Sequence, residues 1–114
     1  MMSTTFNAEQ PPERPVDLAD GDELAAFVET YDDVLVEFYT DGCGVCASME
    51  PVLSGVARSG VVVGTINPRD DPPLVEEYQI ASVPTFVRFR DGEPVDRISE
   101  GFVPGEQLQA FAQG

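Results

Sequence analysis

Apolar residues along this chain are arranged in two ways, one typical of strands and the other typical of helices. Runs of strand-forming residues, apolar in one or both phases, predict strands at positions 16–18, 34–39, 61–66 and 85–90, and the turn signal at 91–92 predicts a return strand at 94–99. Apolar residues spaced three to four positions apart predict four amphipathic helices around positions 24–31, 46–56, 74–78 and 108–112. Strands that alternate with helices and end in a hairpin predict an α/β fold, with a central mixed β-sheet flanked by helices on both faces.

The first fifteen residues differ in character from the rest of the chain. Residues 1–15 are polar and contain three prolines, so we expect a flexible N-terminal extension before a single domain over 16–114. No run approaches the ~20 apolar residues that a membrane span requires, and no secretory leader is recognisable. We therefore expect a cytoplasmic protein without a membrane partner.

The charge balance is strongly acidic. The chain has 21 acidic and 6 basic residues, all of the latter arginine, and a net charge of −15. Self-repulsion of this size destabilises a compact state at low salt and is screened at about 1 M salt, where the Debye length is ~3 Å. The composition is typical of a halophilic protein, although an ordinary acidic surface is the alternative. With no basic patch to neutralise phosphates, nucleic acid is not an expected partner.

The two cysteines stand at C-x-x-C spacing. Cys43 and Cys46 follow a predicted buried strand and begin a predicted helix. Unpaired N–H groups and the helix dipole favour a thiolate at such a position. Cys43, the first and more exposed of the two, is therefore the predicted nucleophile, and Cys46, one turn into the helix, is the predicted resolving thiol.

Two other interpretations of the cysteine pair stay open at this point. The pair could be half of a zinc site, but zinc usually takes four ligands, and the chain has no histidine and no further cysteine. The two thiols could also be inert members of the core, since free cysteine often behaves as a small hydrophobic residue. The strand–motif–helix context favours redox chemistry, and we expect neither a metal nor a cofactor.

Four motifs of this chain resemble those of the thioredoxin family in order and spacing. They are the strand 34–39, the segment 43–46 with Pro51 behind it, the segment 83–86 and the turn at 91–92. The resemblance runs from about Asp17 to the C-terminus. It implies the thioredoxin fold over 16–114 and reduction of protein disulfides. It also implies disulfide-containing client proteins, an upstream thioredoxin-reductase-like electron donor and a monomeric state.

Glu37 is the third candidate catalytic residue. An acid within a buried strand is costly unless it is paired or protonated, and burial raises a carboxyl pKa. The resemblance implies that Glu37 relays protons to and from Cys46, as the buried acid of the family is thought to do. The alternative is a strand less buried than its pattern suggests, with Glu37 in contact with solvent.

The resemblance also implies four substrate-binding positions. Pro84 is expected to be a cis proline beside the cysteines, and the backbone of Val83 is expected to pair with an extended substrate by strand addition. Gly101 matches a glycine that lets substrate approach, although a simple glycine at a strand end is equally consistent. Gly42 stands where the family usually carries a tryptophan that contacts substrates. A proline usual between the cysteines is Val45 here.

Two competing functions follow from the same residues. The first is a dedicated redox partner of one enzyme, or an isomerase-like protein with an altered reduction potential. The second is a binding or regulatory module of the same fold whose cysteines do not turn over. Replacement of Cys43 by serine separates these classes, since it abolishes an exchange activity and leaves simple binding intact.

Overall fold

The computed structural model describes residues 6–114, so residues 1–5 of the predicted extension lie outside the described range. The strands are β1 Val16–Leu18, β2 Asp33–Phe38, β3 Val62–Ile66, β4 Thr85–Arg90 and β5 Glu93–Ile98. The helices are α1 Gly21–Thr30, α2 Gly44–Arg58, α3 Pro73–Glu77 and α4 Gly105–Gln113. The predicted order of elements is confirmed, and the strand ends differ from the prediction by at most one residue.

The helical segments include one short turn and one long helix that contains a proline. A single turn of 3₁₀ helix, Pro68–Asp70, connects β3 to α3. The longest helix, α2, has 15 residues and continues through Pro51. Among the helices over residues 6–114, none combines the length and the apolar content that crossing a bilayer requires.

The five strands form one mixed sheet in the order β1-β3-β2-β4-β5. β3 pairs in parallel with β1 and with β2, whereas β4 runs antiparallel to β2 and to β5. The last pairing contains an irregularity between Arg88 and Phe89. β2 therefore lies at the centre of the sheet, with paired strands on both sides, and its side chains are screened from water at every position except Asp33.

The two faces of the sheet bury separate cores. One core joins α1 and α3 to the sheet through residues such as Phe27, Phe38 and Leu74. The other core joins α2 and α4 to the opposite face through residues such as Met49 and Leu108. Side chains of successive strand residues point to opposite faces, so neighbours on one strand enter different cores. The predicted helices on both faces are confirmed.

β3 carries a glycine where a helix packs closely on the sheet. A Cβ atom on Gly64 would lie 2.8 Å from Cε2 of Phe27 and 3.1 Å from Cδ1 of Leu18. Both of these side chains are fully buried. The missing side chain at Gly64 therefore allows the aromatic ring of α1 to lie directly against the strand.

The described part of the N-terminal extension contacts the domain. The ring of Phe6 packs edge-on against Phe27, with centroids 5.2 Å apart, and also lies near Tyr31. The hydroxyl of Tyr31 donates to the carbonyl oxygen of Asn7 at 3.2 Å. The flexibility expected of residues 1–15 stays a prediction, and these contacts of Phe6 and Asn7 would oppose it.

Candidate active site

The cysteine pair lies where the central strand leads into α2. Cys43 and Cys46 form a disulfide, with Cα atoms 5.2 Å apart. Cys46 is 4% exposed, whereas Cys43 is partly accessible. This arrangement differs from both alternatives to redox chemistry, since the sulfurs are bonded to each other and Cys43 is partly accessible to solvent. The accessible position of Cys43 agrees with the expected nucleophile.

The start of α2 places a backbone hydrogen-bond donor beside the sulfur of Cys43. Cys43 is the N-cap of α2, and its Sγ accepts a hydrogen bond from the backbone N–H of Cys46 at 3.1 Å. The first turn of the helix contains no acidic residue. After reduction, the same N–H group and the positive end of the helix dipole would stabilise a thiolate at Cys43.

The segment before β4 lies against the disulfide. The peptide bond between Val83 and Pro84 is cis, as the resemblance implied. The carbonyl oxygen of Val83 is 3.9 Å from Sγ of Cys43. Pro84 is buried and Val83 is partly exposed. An extended chain could therefore reach the backbone of Val83 and the sulfur of Cys43 at the same place.

The loop after β5 is attached at both ends to elements of the site. Ser99 shares a hydrogen bond between hydroxyl groups with Thr85, which follows Pro84, at 3.1 Å. The N–H of Val103 donates to Sδ of Met49 on α2 at 3.5 Å. Gly101, between these anchors, has φ of 91° and open space where a Cβ would lie. The backbone conformation, rather than crowding, therefore favours glycine at position 101.

Glu37 is buried in the middle of β2. It is 2% exposed, and its Oε2 atom has no hydrogen-bond partner among residues 6–114. The alternative of a solvent-exposed Glu37 is therefore wrong. The pKa of Glu37 is raised from 4.5 to about 7, mainly by burial and in smaller part by the negative charge of Glu50. The carboxyl group consequently changes its protonation state close to neutral pH.

A cleft of about 570 Å³ brings much of the predicted site together. Of the predicted residues, Cys43, Cys46, Glu37 and Gly42 line it. Val83, Pro84 and Gly101 do not line this cleft. Gly42 is exposed and has φ of 82°, a left-handed conformation that suits glycine.

Glu50 and Arg14 are among the charged residues of the cleft that were not predicted from the sequence. Glu50 follows Cys46 by four positions on α2, and this helical spacing could have indicated that both face the same side. Arg14 lies in the segment expected to be flexible and nevertheless lines the cleft. Nothing in the apolar pattern could have indicated that position, because the extension has no periodicity.

Comparisons with known proteins agree with this geometry. A family model described as Thioredoxin matches residues 16–114. Thioredoxin from Chlamydia caviae is 39% identical over 67 residues, which cover 57% of this chain and 66% of that protein. A bifunctional thioredoxin reductase/thioredoxin from Mycobacterium leprae is 31% identical over 86 residues, covering 73% of this chain and 19% of that protein.

A solved thioredoxin structure has the same fold as this chain. A variant of thioredoxin from Halobacterium salinarum superimposes with a TM-score of 0.86 at 30% identity, covering 91% of this chain and 92% of the other. The sheet order, the two helical layers and a disulfide at the C-x-x-C position are those of a domain with the thioredoxin fold. The chain belongs to the thioredoxin family.

The coverage of the relatives is unequal. The matched part spans 66% of the Chlamydia caviae protein and about a fifth of the bifunctional Mycobacterium leprae protein. A thioredoxin domain with a Cys43–Cys46 disulfide supports thiol–disulfide oxidoreductase activity. A binding module with inert cysteines is not favoured by this combination.

Proposed function

We propose that this protein reduces disulfide bonds of client proteins by dithiol–disulfide exchange through Cys43 and Cys46. The observation that carries the proposal is the disulfide at the start of α2, with Cys43 partly accessible and its sulfur 3.9 Å from the carbonyl oxygen of Val83. A purely structural role would gain little from this disulfide. It joins residues only three positions apart, so it removes little chain entropy from the unfolded state.

The exchange proceeds through a mixed disulfide. The Cys43 thiolate attacks one sulfur of the client disulfide, and the other client sulfur leaves as a thiolate. The Cys46 thiolate then attacks Sγ of Cys43, which re-forms the Cys43–Cys46 disulfide and releases the second client sulfur as a thiolate. Both client thiolates take up protons. The client is reduced by two electrons, and this protein is oxidised by two.

Glu37 moves the proton of Cys46 in this scheme. As a carboxylate it accepts the thiol proton of Cys46 before the second attack, and as an acid it returns the proton when the disulfide is later reduced. A pKa of about 7 suits both directions, since a general acid–base group works best near the operating pH. The cleft that Glu37 shares with Cys46 supports this role.

Client binding uses the backbone around the disulfide. The backbone of Val83 pairs with an extended client segment, and Pro84 holds that backbone beside Cys43. Gly42 and Gly101 have no side chain to obstruct the approach, so we assign them to the client-binding surface. Main-chain pairing places little demand on client sequence, which suits a reductase with many substrates.

The setting of the reaction follows from the family and the charge. The name of the Mycobacterium leprae relative joins a thioredoxin reductase to a thioredoxin, which supports an upstream thioredoxin-reductase-like donor for this chain. We assign the protein to a salt-rich cytoplasm as a monomer without nucleic-acid or membrane partners. The acidic composition supports the salt-rich setting.

Trapping of the mixed disulfide tests the assigned roles. Cys46→Ser should retain clients in a covalent complex that a small thiol releases, because the attacking sulfur is kept and the resolving sulfur is lost. Cys43→Ser is the matched control and should trap nothing. Both variants are compared by non-reducing gel electrophoresis in 2 M KCl. Trapping by Cys43→Ser instead would reverse the roles, and trapping by neither would contradict the exchange function.

A further inference from the structure

The cleft beside the disulfide contains two carboxyl groups in very different environments. Glu37 lines it at 2% exposure, and its Oε2 atom has no hydrogen-bond partner in the part of the chain that the structure describes. Glu50 lines the same cleft from α2 and is exposed to solvent. One group is therefore shielded from ions in solution, while the other is open to them.

We propose that Glu50 is a positioning residue for proton transfer at Cys46, and that it acts through Glu37 across the cleft they share to make this transfer respond to salt concentration. The proposal rests on the proposed role of Glu37 as the proton relay. It adds a residue and a dependence on ionic strength to that role.

The physical basis is the repulsion between like charges. A negative Glu50 opposes the loss of a proton from Glu37, and its effect on the pKa of Glu37 comes second only to burial. The charge of Glu50 is exposed, so added salt screens it. The Debye length falls from about 10 Å at 0.1 M to about 3 Å at 1 M. Salt hardly affects the burial of Glu37. Added salt should therefore reduce only the part of the rise in the pKa of Glu37 that the charge of Glu50 causes.

Other charged and titratable groups also line the cleft around Glu37. Asp17 accepts hydrogen bonds from Thr65 at 2.9 Å and from Tyr39 at 3.0 Å. Burial and this contact raise the pKa of Tyr39 to about 12, so the phenol stays neutral. The groups that face the cleft besides Glu37 are Arg14, Asp17, Tyr39, Asp41, Cys43, Cys46 and Glu50.

The position of Glu50 on α2 links it to the reacting sulfur. Glu50 is one helical turn after Cys46, so the two residues lie on the same side of the helix. When salt is low, Glu50 keeps the proton on Glu37 to higher pH, and fewer molecules hold the carboxylate that can accept the proton of Cys46. When salt is high, the carboxylate forms at lower pH. The pH profile of the exchange should therefore move to lower pH as salt increases.

A direct titration of Glu37 tests the proposal. The carboxyl carbon of Glu37 is followed by NMR from pH 5 to pH 9 in the oxidised protein, where the cysteines do not titrate. At 0.1 M KCl, Glu50→Gln should lower the pKa of Glu37 by about 0.5, as expected for an exposed charge interaction. At 2 M KCl the difference between the variant and the wild type should nearly vanish.

Two control variants separate the local effect from the overall charge. Glu29→Gln removes the same charge from α1, on the opposite face of the sheet, and should leave the titration of Glu37 unchanged. Glu50→Asp keeps the charge and should keep the salt dependence. Equal pKa values for Glu37 in the wild type and Glu50→Gln at 0.1 M KCl would overturn the proposal.

The pH profile of client reduction distinguishes this proposal from the relay on which it rests. If Glu37→Gln leaves the profile unchanged, the relay role fails, even if the titration shows that Glu50 and Glu37 are coupled. If Glu37→Gln changes the profile and Glu50→Gln does not shift it at low salt, only the role of Glu50 fails. The expected result is a shift of the profile to lower pH by about 0.5 in Glu50→Gln at 0.1 M KCl.

Discussion

The carboxyl group of Glu37 is held in the core without a charge partner. Its pKa of about 7, against 4.5 in water, means that the folded protein keeps a proton that the unfolded chain has already lost. This binding of a proton stabilises the fold fully below pH 4.5, and the stabilisation is lost as the pH rises through 7. A residue suited to proton transfer near neutrality is therefore also one that weakens the fold at alkaline pH.

Replacement of Glu37 by glutamine should remove this dependence. Between pH 5 and pH 8, the wild type should lose roughly 2–3 kcal/mol of unfolding free energy relative to Glu37→Gln, which cannot ionise. The measurement is denaturant unfolding of both proteins at several pH values in 2 M KCl. Glu29→Gln, which removes a charge at an exposed position, should follow the wild type. Parallel curves for the wild type and Glu37→Gln would show that Glu37 ionises normally.

Some residues of the site could be predicted from their neighbours in the sequence, and others could not. Glu37 was recognisable because it interrupts an otherwise apolar strand, and Cys43 and Cys46 because of their spacing. Glu50 can be assigned to the site only when its helical spacing from Cys46 is combined with the observed cleft. Arg14 lies in a segment without periodicity, so its place beside the disulfide depends on tertiary structure alone.

At the level of elements, the close contact of β3 with α1 depends on one missing side chain. Gly64 should not tolerate alanine, because its Cβ would lie 2.8 Å from the buried ring of Phe27. We expect Gly64→Ala to destabilise the protein by roughly 1–3 kcal/mol, the usual effect of overpacking. Thermal unfolding of the variant measures the loss.

A second glycine provides the matched control. Gly55 lies within α2, and a Cβ there would come no nearer than 4.0 Å to the flexible end of Arg58. Gly55→Ala should therefore stabilise the protein by about 0.5–1 kcal/mol, because alanine favours a helix more than glycine does. A Gly64→Ala variant as stable as Gly55→Ala would contradict the close packing of α1 on the sheet.

The elements themselves were predictable to different degrees. β2 and β3 are buried on both faces, and their continuous apolar runs predict them well. β5 is largely exposed, so it was recognised from the turn at 91–92 rather than from apolar alternation. The 3₁₀ turn Pro68–Asp70 spans three residues, which is too short to produce a periodic pattern. The sheet order depends on contacts distant in sequence.

At the level of the whole molecule, the net charge of −15 is the dominant electrostatic feature. In the described part of the chain, the ion pairs involve Asp33 with Arg88 at 3.6 Å and with Arg90 at 3.1 Å. Pairs that are partly exposed contribute little stability. Repulsion among the remaining acids is therefore largely uncompensated unless salt screens it.

The midpoint of thermal unfolding should rise as KCl increases from 0.1 M to 2 M. Each kcal/mol of repulsion relieved should raise Tm by about 4 °C in a domain of this size. Circular dichroism at several salt concentrations measures the trend. Replacing three exposed acids, Glu13, Glu29 and Glu100, by glutamine should make the dependence shallower. A flat or falling Tm would contradict adaptation to high salt.

The central claim is catalysis of disulfide reduction by Cys43 and Cys46. Its most direct test is the reduction of a disulfide-bonded test protein in molar KCl, with a small dithiol as electron source, by the wild type and by Cys43→Ser. We expect turnover by the wild type and only the uncatalysed background rate with the variant. Turnover that persists in Cys43→Ser, or its absence from a folded wild-type protein, would contradict the account.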